Sequence, residues 1–150
     1  MRVIALLAGA WLLGGCTSVP RTGAPADFGA YEGVDSLQAA SFDRVVYQVK
    51  RVENKPYADL AFWQVALKER LVKAGYVVTA EGAIEAGGQK GYYLETTVPR
   101  GSADYSYLVA LFVKDKNLVL IESAGELAAY RAKREKIFAA IRASEPGGGR

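Results

Sequence analysis

One cysteine, Cys16, and no histidine bound the chemistry open to this chain of 150 residues. Without histidine the commonest general base and the commonest metal ligand are gone. A lone cysteine then excludes zinc-finger ligand sets, most catalytic zinc sites and any disulfide within the chain. A nucleophilic thiol needs a neighbouring base or a helix N-terminus to lower its pKa. The stretch WLLGGCTSVP around Cys16 offers neither, so this thiol reads as a point of attachment. Among the hydroxyls, Ser123 lacks a glycine two residues earlier, where Ile121 stands, so it is no nucleophile elbow. No serine stands three residues before a lysine. Ser123 and Glu126 instead form S-x-x-E ahead of a helical pattern, the signature of a capping box.

Three carboxylates remain as candidates for acid–base work, Asp104, Glu122 and Glu126. Glu122 sits at a strand end and reads either as solvated or as a contact for a partner. Tyr92, Tyr93, Tyr105 and Tyr107 fall on adjacent strands. Alternation puts Tyr105 and Tyr107 on one face and splits Tyr92 from Tyr93. Core packing is the default for such tyrosines. An aromatic surface for a ligand or partner is the alternative, and it makes Tyr105, Tyr107 and Glu122 candidate binding residues. Gly82 and Gly87 have the glycine spacing of a phosphate loop, but Gly88 and Gln89 follow where lysine and a hydroxyl belong. The cations Arg131, Lys133, Arg134, Lys136 and Arg142 load the last helix and read as a solvated face, with Arg131 and Glu135 spaced to pair.

The elements that must position these groups follow from periodicity. Residues 45–52 are β-branched and aromatic, a strand. Leu60, Trp63, Leu67, Leu71 and Ala74 draw one stripe on a helix that opens near Pro56 and closes at Gly75. Residues 76–79 make a short strand. The glycine-rich stretch 81–91 reads as a loop, mobile over 87–91. Strands over 92–98, 105–113 and 118–123, joined by short turns, make an antiparallel meander. A final helix over 124–143 shows Leu127, Tyr130, Ile137, Phe138 and Ile141 on its buried face, interrupted near Arg134. The fold class is α+β, an antiparallel β-sheet with two helices packed on it, expected on one face.

Apolar residues are 51% of the chain and charged residues 23%, too apolar for disorder. Formal net charge is +3, no electrostatic footprint for nucleic acid. After Met1 and Arg2, residues 3–13 are uncharged and mostly apolar, about half the ~20 residues that span a bilayer. That is the layout of a secretory signal. Leu13-Gly14-Gly15-Cys16 resembles the lipobox of bacterial lipoproteins. The resemblance implies cleavage before Cys16, attachment of lipid to its sulfur and of an acyl chain such as palmitate to its amine, and a membrane anchor. Thr17, where aspartate would retain an inner-membrane lipoprotein, implies the outer membrane facing the periplasm. Residues 1–15 are then a lipoprotein signal peptide. Residues 16–40 are the lipidated cysteine and a flexible tether, 41–144 the domain and 145–150 a disordered tail. A tether of ~24 residues has a root-mean-square span of roughly 25–30 Å.

The order of elements, with FWQVALKERLVKAGY entering the sheet and YRAKREKIFAAIRAS closing the chain after LVLIESAGE, resembles the PsbP-like fold over residues 42–144. That resemblance implies a non-enzymatic binding or assembly protein with no catalytic residues and no cofactor. The expected function is a periplasm-facing lipoprotein that binds an envelope protein, with no nucleic acid and no metal. The alternative is a carrier holding an apolar or glycan ligand between sheet and helices. A hydrolase using Glu122, Glu126 or Asp104 is the third reading, and it requires two carboxylates on one side.

Overall fold

The computed structural model describes residues 23–32 and 36–148. Cys16, with Leu13, Gly14, Gly15 and Thr17, lies outside the described residues, as do Gly149 and Arg150. The elements are β1 (Phe28–Glu32), β2 (Ser36–Ser41), β3 (Val46–Glu53), α1 (Leu60–Lys73), β4 (Val77–Ala86), β5 (Gln89–Arg100), β6 (Ala103–Lys114), β7 (Asn117–Glu126) and α2 (Leu127–Arg142). The strands form one sheet in the order β1-β2-β3-β7-β6-β5-β4, and the paired neighbours run antiparallel.

The meander β5-β6-β7 stands as expected, with longer strands. Tight turns close it, and Gly101 and Asp115 hold the left-handed conformation there. Two stretches without apolar runs are also strands. Residues 28–32 and 36–40, inside the stretch read as tether, supply β1 and, with Ser41, β2. Residues 81–91, read as a loop, are the end of β4, a turn at Gly87-Gly88 and the start of β5. Gly87 and Gly88 both have positive φ, which a two-residue hairpin turn of the twisted kind demands. The chain past α2 also packs. A Cβ on Gly87 would stand 3.1 Å from the Ser144 carbonyl oxygen, and Pro146 is buried.

The helices lie on opposite faces of the sheet, not on one. Register and alternation decide this. Leu108, Ala110 and Phe112 of β6, with Val119 and Ile121 of β7, join Tyr130, Ile137, Phe138 and Ile141 of α2 in the main core. Tyr92 and Leu94 of β5 join Leu71 of α1 in a second, smaller core, with Leu60, Leu67, Tyr76 and Tyr107 packed around it. Full burial of side chains such as Ile137 and Ile141 stabilises the fold by about 1.5–3 kcal/mol each.

The helix α1 starts at Leu60 rather than at Pro56, because Asp59 caps it by accepting from the Phe62 amide at 2.9 Å. Its end is a Schellman turn. Gly75, at φ 90°, donates to Val72, and Tyr76 donates to Leu71. No capping box opens α2. Its N-cap is Glu126, which makes no side-chain capping bond, and Ser123 lies inside β7, donating to the Val46 carbonyl at 2.8 Å.

Candidate functional site

The helix α1 packs against β4, β5 and β6. On its face of the sheet, β7 and β3 extend past it, and the step between helix and sheet leaves an open groove of about 400 Å³. Leu111, Leu118, Leu120 and Val52 line it from the strands, and Trp63, Ala66 and Leu67 from the helix. Asn54 sets the position of Trp63. This buried side chain accepts from the Trp63 indole at 2.7 Å and donates to the carbonyls of Ala58 and Asp115. It thereby ties the start of α1 to the β6–β7 turn. Charged groups edge the groove, Lys50, Glu53 and Lys55 from β3 and the residues after it, and Arg70 from α1.

At one end of this groove stands a polar chain. The Tyr107 hydroxyl donates to Glu122 at 2.6 Å, and the Lys50 ammonium lies 2.7 Å from the other Glu122 oxygen. The Glu122 side chain is 15% exposed, so it is paired and half-enclosed rather than solvated. Burial pushes the Tyr107 phenol well above its ordinary value, and the Glu122 carboxylate adds to the effect. Tyr107 is therefore a fixed donor at neutral pH, not a base. Its ring packs on Tyr76, with centroids 5.8 Å apart.

The candidate binding residues thus separate. Tyr107 and Glu122 meet beside the groove. Tyr105 shares their face but stands at the end of the sheet, 36% exposed, against Phe42, Arg44 and Glu126. Tyr92 and Tyr93 split as alternation requires, Tyr92 toward α1 and Tyr93 edge-on to Phe138 of α2. The carboxylates do not gather. Alternation puts Asp104 on the opposite face from Glu122 and Glu126, and the latter two lie four strand positions apart, ~13 Å, beyond the ~5–9.5 Å of paired acid–base carboxylates. Among the described residues, no group of three or more His, Cys, Asp or Glu could hold a metal ion.

Two further polar clusters fasten the helices. Glu95, buried under α2, accepts from the Tyr130 hydroxyl at 2.6 Å and from the Arg134 guanidinium at 2.9 and 2.7 Å. This accounts for the interruption of the apolar face at Arg134. Glu135 pairs with the same arginine at 3.2 Å. Across the sheet, Glu81 takes the Lys68 ammonium at 2.5 Å and a short bond from the Tyr92 hydroxyl. The Lys68 bond, then that of Tyr92, holds the Glu81 carboxyl below its usual range. On the exposed side of α1, Glu69 and Lys73 pair at 3.2 Å as their spacing foretells.

The groove residues Lys50, Trp63, Arg70, Leu118 and Leu120 belong to no motif in the sequence. Their signal is faint. On β3, the alternation of Val46, Gln48, Lys50 and Val52 marks a face that is neither buried nor wholly polar.

No helix among the described residues is long and apolar enough to cross a membrane. No protein-family model matches the chain, and no curated protein matches it in sequence. Solved structures do match. A Pseudomonas aeruginosa protein of unknown function superposes with a TM-score of 0.64 at 12% identity, covering 81% of this chain and 99% of that one. LpqN of Mycobacterium tuberculosis, described as involved in cell envelope biogenesis, gives 0.61 at 12% identity, with 89% and 88% covered. The cyanobacterial PsbP of Synechocystis sp. PCC 6803 gives 0.57 at 10% identity, with 82% and 84% covered. At such identities the likeness speaks for the fold alone, and the fold of this chain is PsbP-like.

Proposed function

We propose that the protein is a non-catalytic binding module of the bacterial cell envelope, held at the membrane by lipid on Cys16 and facing the periplasm from the outer membrane. The groove beside α1 carries the reading. It is an apolar trough with a charged rim, the composition of a binding surface, and in that rim Lys50 is held by Glu122. The structural likeness to LpqN, a protein of cell envelope biogenesis, agrees with an envelope role. The occupant is a segment of an envelope protein, laid along Leu118 and Leu120 with Trp63 as an aromatic anchor.

Crosslinking of the tagged chain in living cells tests this. A partner captured by the anchored protein, and lost from both Leu120→Lys and Arg70→Glu, is the expected result. The same capture from both groove variants would sink the groove as the binding site. Capture undiminished in Cys16→Ser would sink the anchor. The apolar floor of Leu111, Leu118 and Leu120 also favours a second reading, a carrier of a small apolar or glycan ligand. A small molecule that co-purifies and is lost from Leu120→Lys, with no captured protein, would decide for it.

A further inference from the structure

Phe42 stands at the tip of the β2–β3 turn, 100% exposed. The turn that holds it is built firmly. The Ser41 amide donates to the Val45 carbonyl at 2.9 Å, and the Val45 amide donates to the Ser41 hydroxyl at 3.1 Å. Arg44 takes the left-handed conformation at φ 62°, and Asp43 is tied to Lys133 of α2 at 3.4 Å. Phe42 is thus presented on an ordered turn. Beside it, Tyr105 and Arg44 border one shallow depression with Asp43 and Glu126, and Val46, half-exposed, starts the adjoining strand.

The start of the chain comes to this same end of the sheet. Phe28, the first residue of β1, pairs with Ser41, the neighbour of Phe42. The Phe28 amide donates to Pro25, and Ala24 already packs on the main core. Gly23 follows Cys16 by only seven positions, at most about 25 Å of chain. The strands β5 and β6, of 12 residues each, put the far end of the sheet ~40 Å away. An anchor at Cys16 therefore keeps the Phe42 end nearest the bilayer.

From these placements we infer that Phe42, with Tyr105 and Val46 beside it, seats the domain on the lipid surface. The inference rests on the anchor at Cys16. Its chemistry is that of an interfacial contact. Phenylalanine enters the acyl boundary, tyrosine keeps its hydroxyl among headgroups, and Arg44 extends its charge outward over an apolar stem. Around the depression two cations, Arg44 and Lys133, stand against two carboxylates, Asp43 and Glu126. The contact is therefore apolar and does not depend on anionic lipid. It also leaves the groove beside α1 open to the periplasm for its occupant.

The test uses the full chain in its own cell membranes, with p-benzoylphenylalanine in place of Phe42 or, in a second strain, of Tyr57. Tyr57 is 76% exposed and follows Asn54, whose side chain bonds to the β6–β7 turn at the opposite end. Irradiation is expected to give lipid adducts at position 42 and none at 57. Adducts to protein at 42, no adduct there, or equal lipid capture at both positions would overturn the inference. The mass of the N-terminal peptide reads the anchor separately. Acylated Cys16 with no lipid captured at 42 overturns the seating and leaves the anchor standing. An unmodified Cys16 overturns the anchor and the inference with it.

Discussion

Glu95 and Arg134 form an ion pair across the α2 interface, and their environments differ. The Glu95 side chain is 7% exposed and that of Arg134 36%. A carboxylate this enclosed needs its partners, because an unpaired buried charge is costly. The bond to Glu95 raises the Arg134 pKa further, so the guanidinium stays charged throughout the stability range of the protein. Burial, then the bond to Glu95, raises that of Tyr130, which leaves it protonated and donating. Replacing Arg134 strands Glu95 with the tyrosine alone. We expect Arg134→Leu to destabilise the fold by about 3 kcal/mol, the low end for a broken buried pair because Arg134 is partly solvated. The double variant with Glu95→Leu should recover most of that loss. Urea unfolding of the two variants measures both. An Arg134→Leu protein as stable as wild type would mean that Glu95 finds water or another cation. The helical period of the sequence already marks Arg134 as a break in an apolar face. It does not name the partner, because Glu95 sits 39 residues away in β5 among residues that otherwise read as an ordinary half-buried strand.

At the scale of elements, legibility followed side-chain size. The strands of the meander and the stripe of α1 carry large apolar residues at the right spacing, and both stand as read. The strands β1, β2 and β4 are built from Ala, Gly, Ser, Gln and Glu around a few anchors, and their alternation is silent in such residues. The β4–β5 hairpin shows why. Gly82 lies under the Tyr93 ring, where a Cβ would come within 3.1 Å. Gly91 lies under Phe112, where a Cβ would come within 2.5 Å. These glycines are places where aromatics from the neighbouring strand cover the backbone, not signs of a loop. Ser123 misled for a related reason. It continues the row Val119 and Ile121 toward α2, and Gly125 continues it again under Val45. The helices differ in what they bury. In α1 only Leu71 is buried, against Tyr130, Ile137, Phe138 and Ile141 in α2. Local opening draws on the elements with the fewest buried contacts. The amides of α1 should therefore exchange with deuterium well before those of α2, while the central strands β6 and β7 stay protected. Equal protection of the two helices would show that Asn54 and the Glu81–Lys68 pair hold α1 as firmly as a core does.

The whole molecule is a sheet sandwiched between unequal layers, and tyrosine is the titrating group that both layers enclose. Burial is the first cause that raises the pKa of Tyr47, Tyr92, Tyr107 and Tyr130 above the ordinary value of 10.0. Two of them lie on the α1 side of the sheet and two on the α2 side. Their linkage to stability has one sign. Below pH 10 the folded and unfolded chains hold these protons alike, and the advantage of the fold is complete. Above it the unfolded chain releases protons that the folded chain keeps, so stability falls as pH rises. We expect the protein to unfold cooperatively in alkali, with the phenolate absorbance of these tyrosines rising in the same pH interval as the loss of helical circular dichroism. Tyr47 makes the argument specific. Among the described residues its buried hydroxyl has no hydrogen-bond partner, so Tyr47→Phe removes an unsatisfied polar group and keeps the ring that packs edge-on to Phe28. That variant should gain roughly 1 kcal/mol at neutral pH and lose stability less steeply above pH 10. If Tyr47→Phe were less stable than wild type at neutral pH, the hydroxyl would have to be bonded in solution. If phenolate absorbance appeared well before the loss of structure, the enclosure of the tyrosines by two layers would be looser than the packing describes.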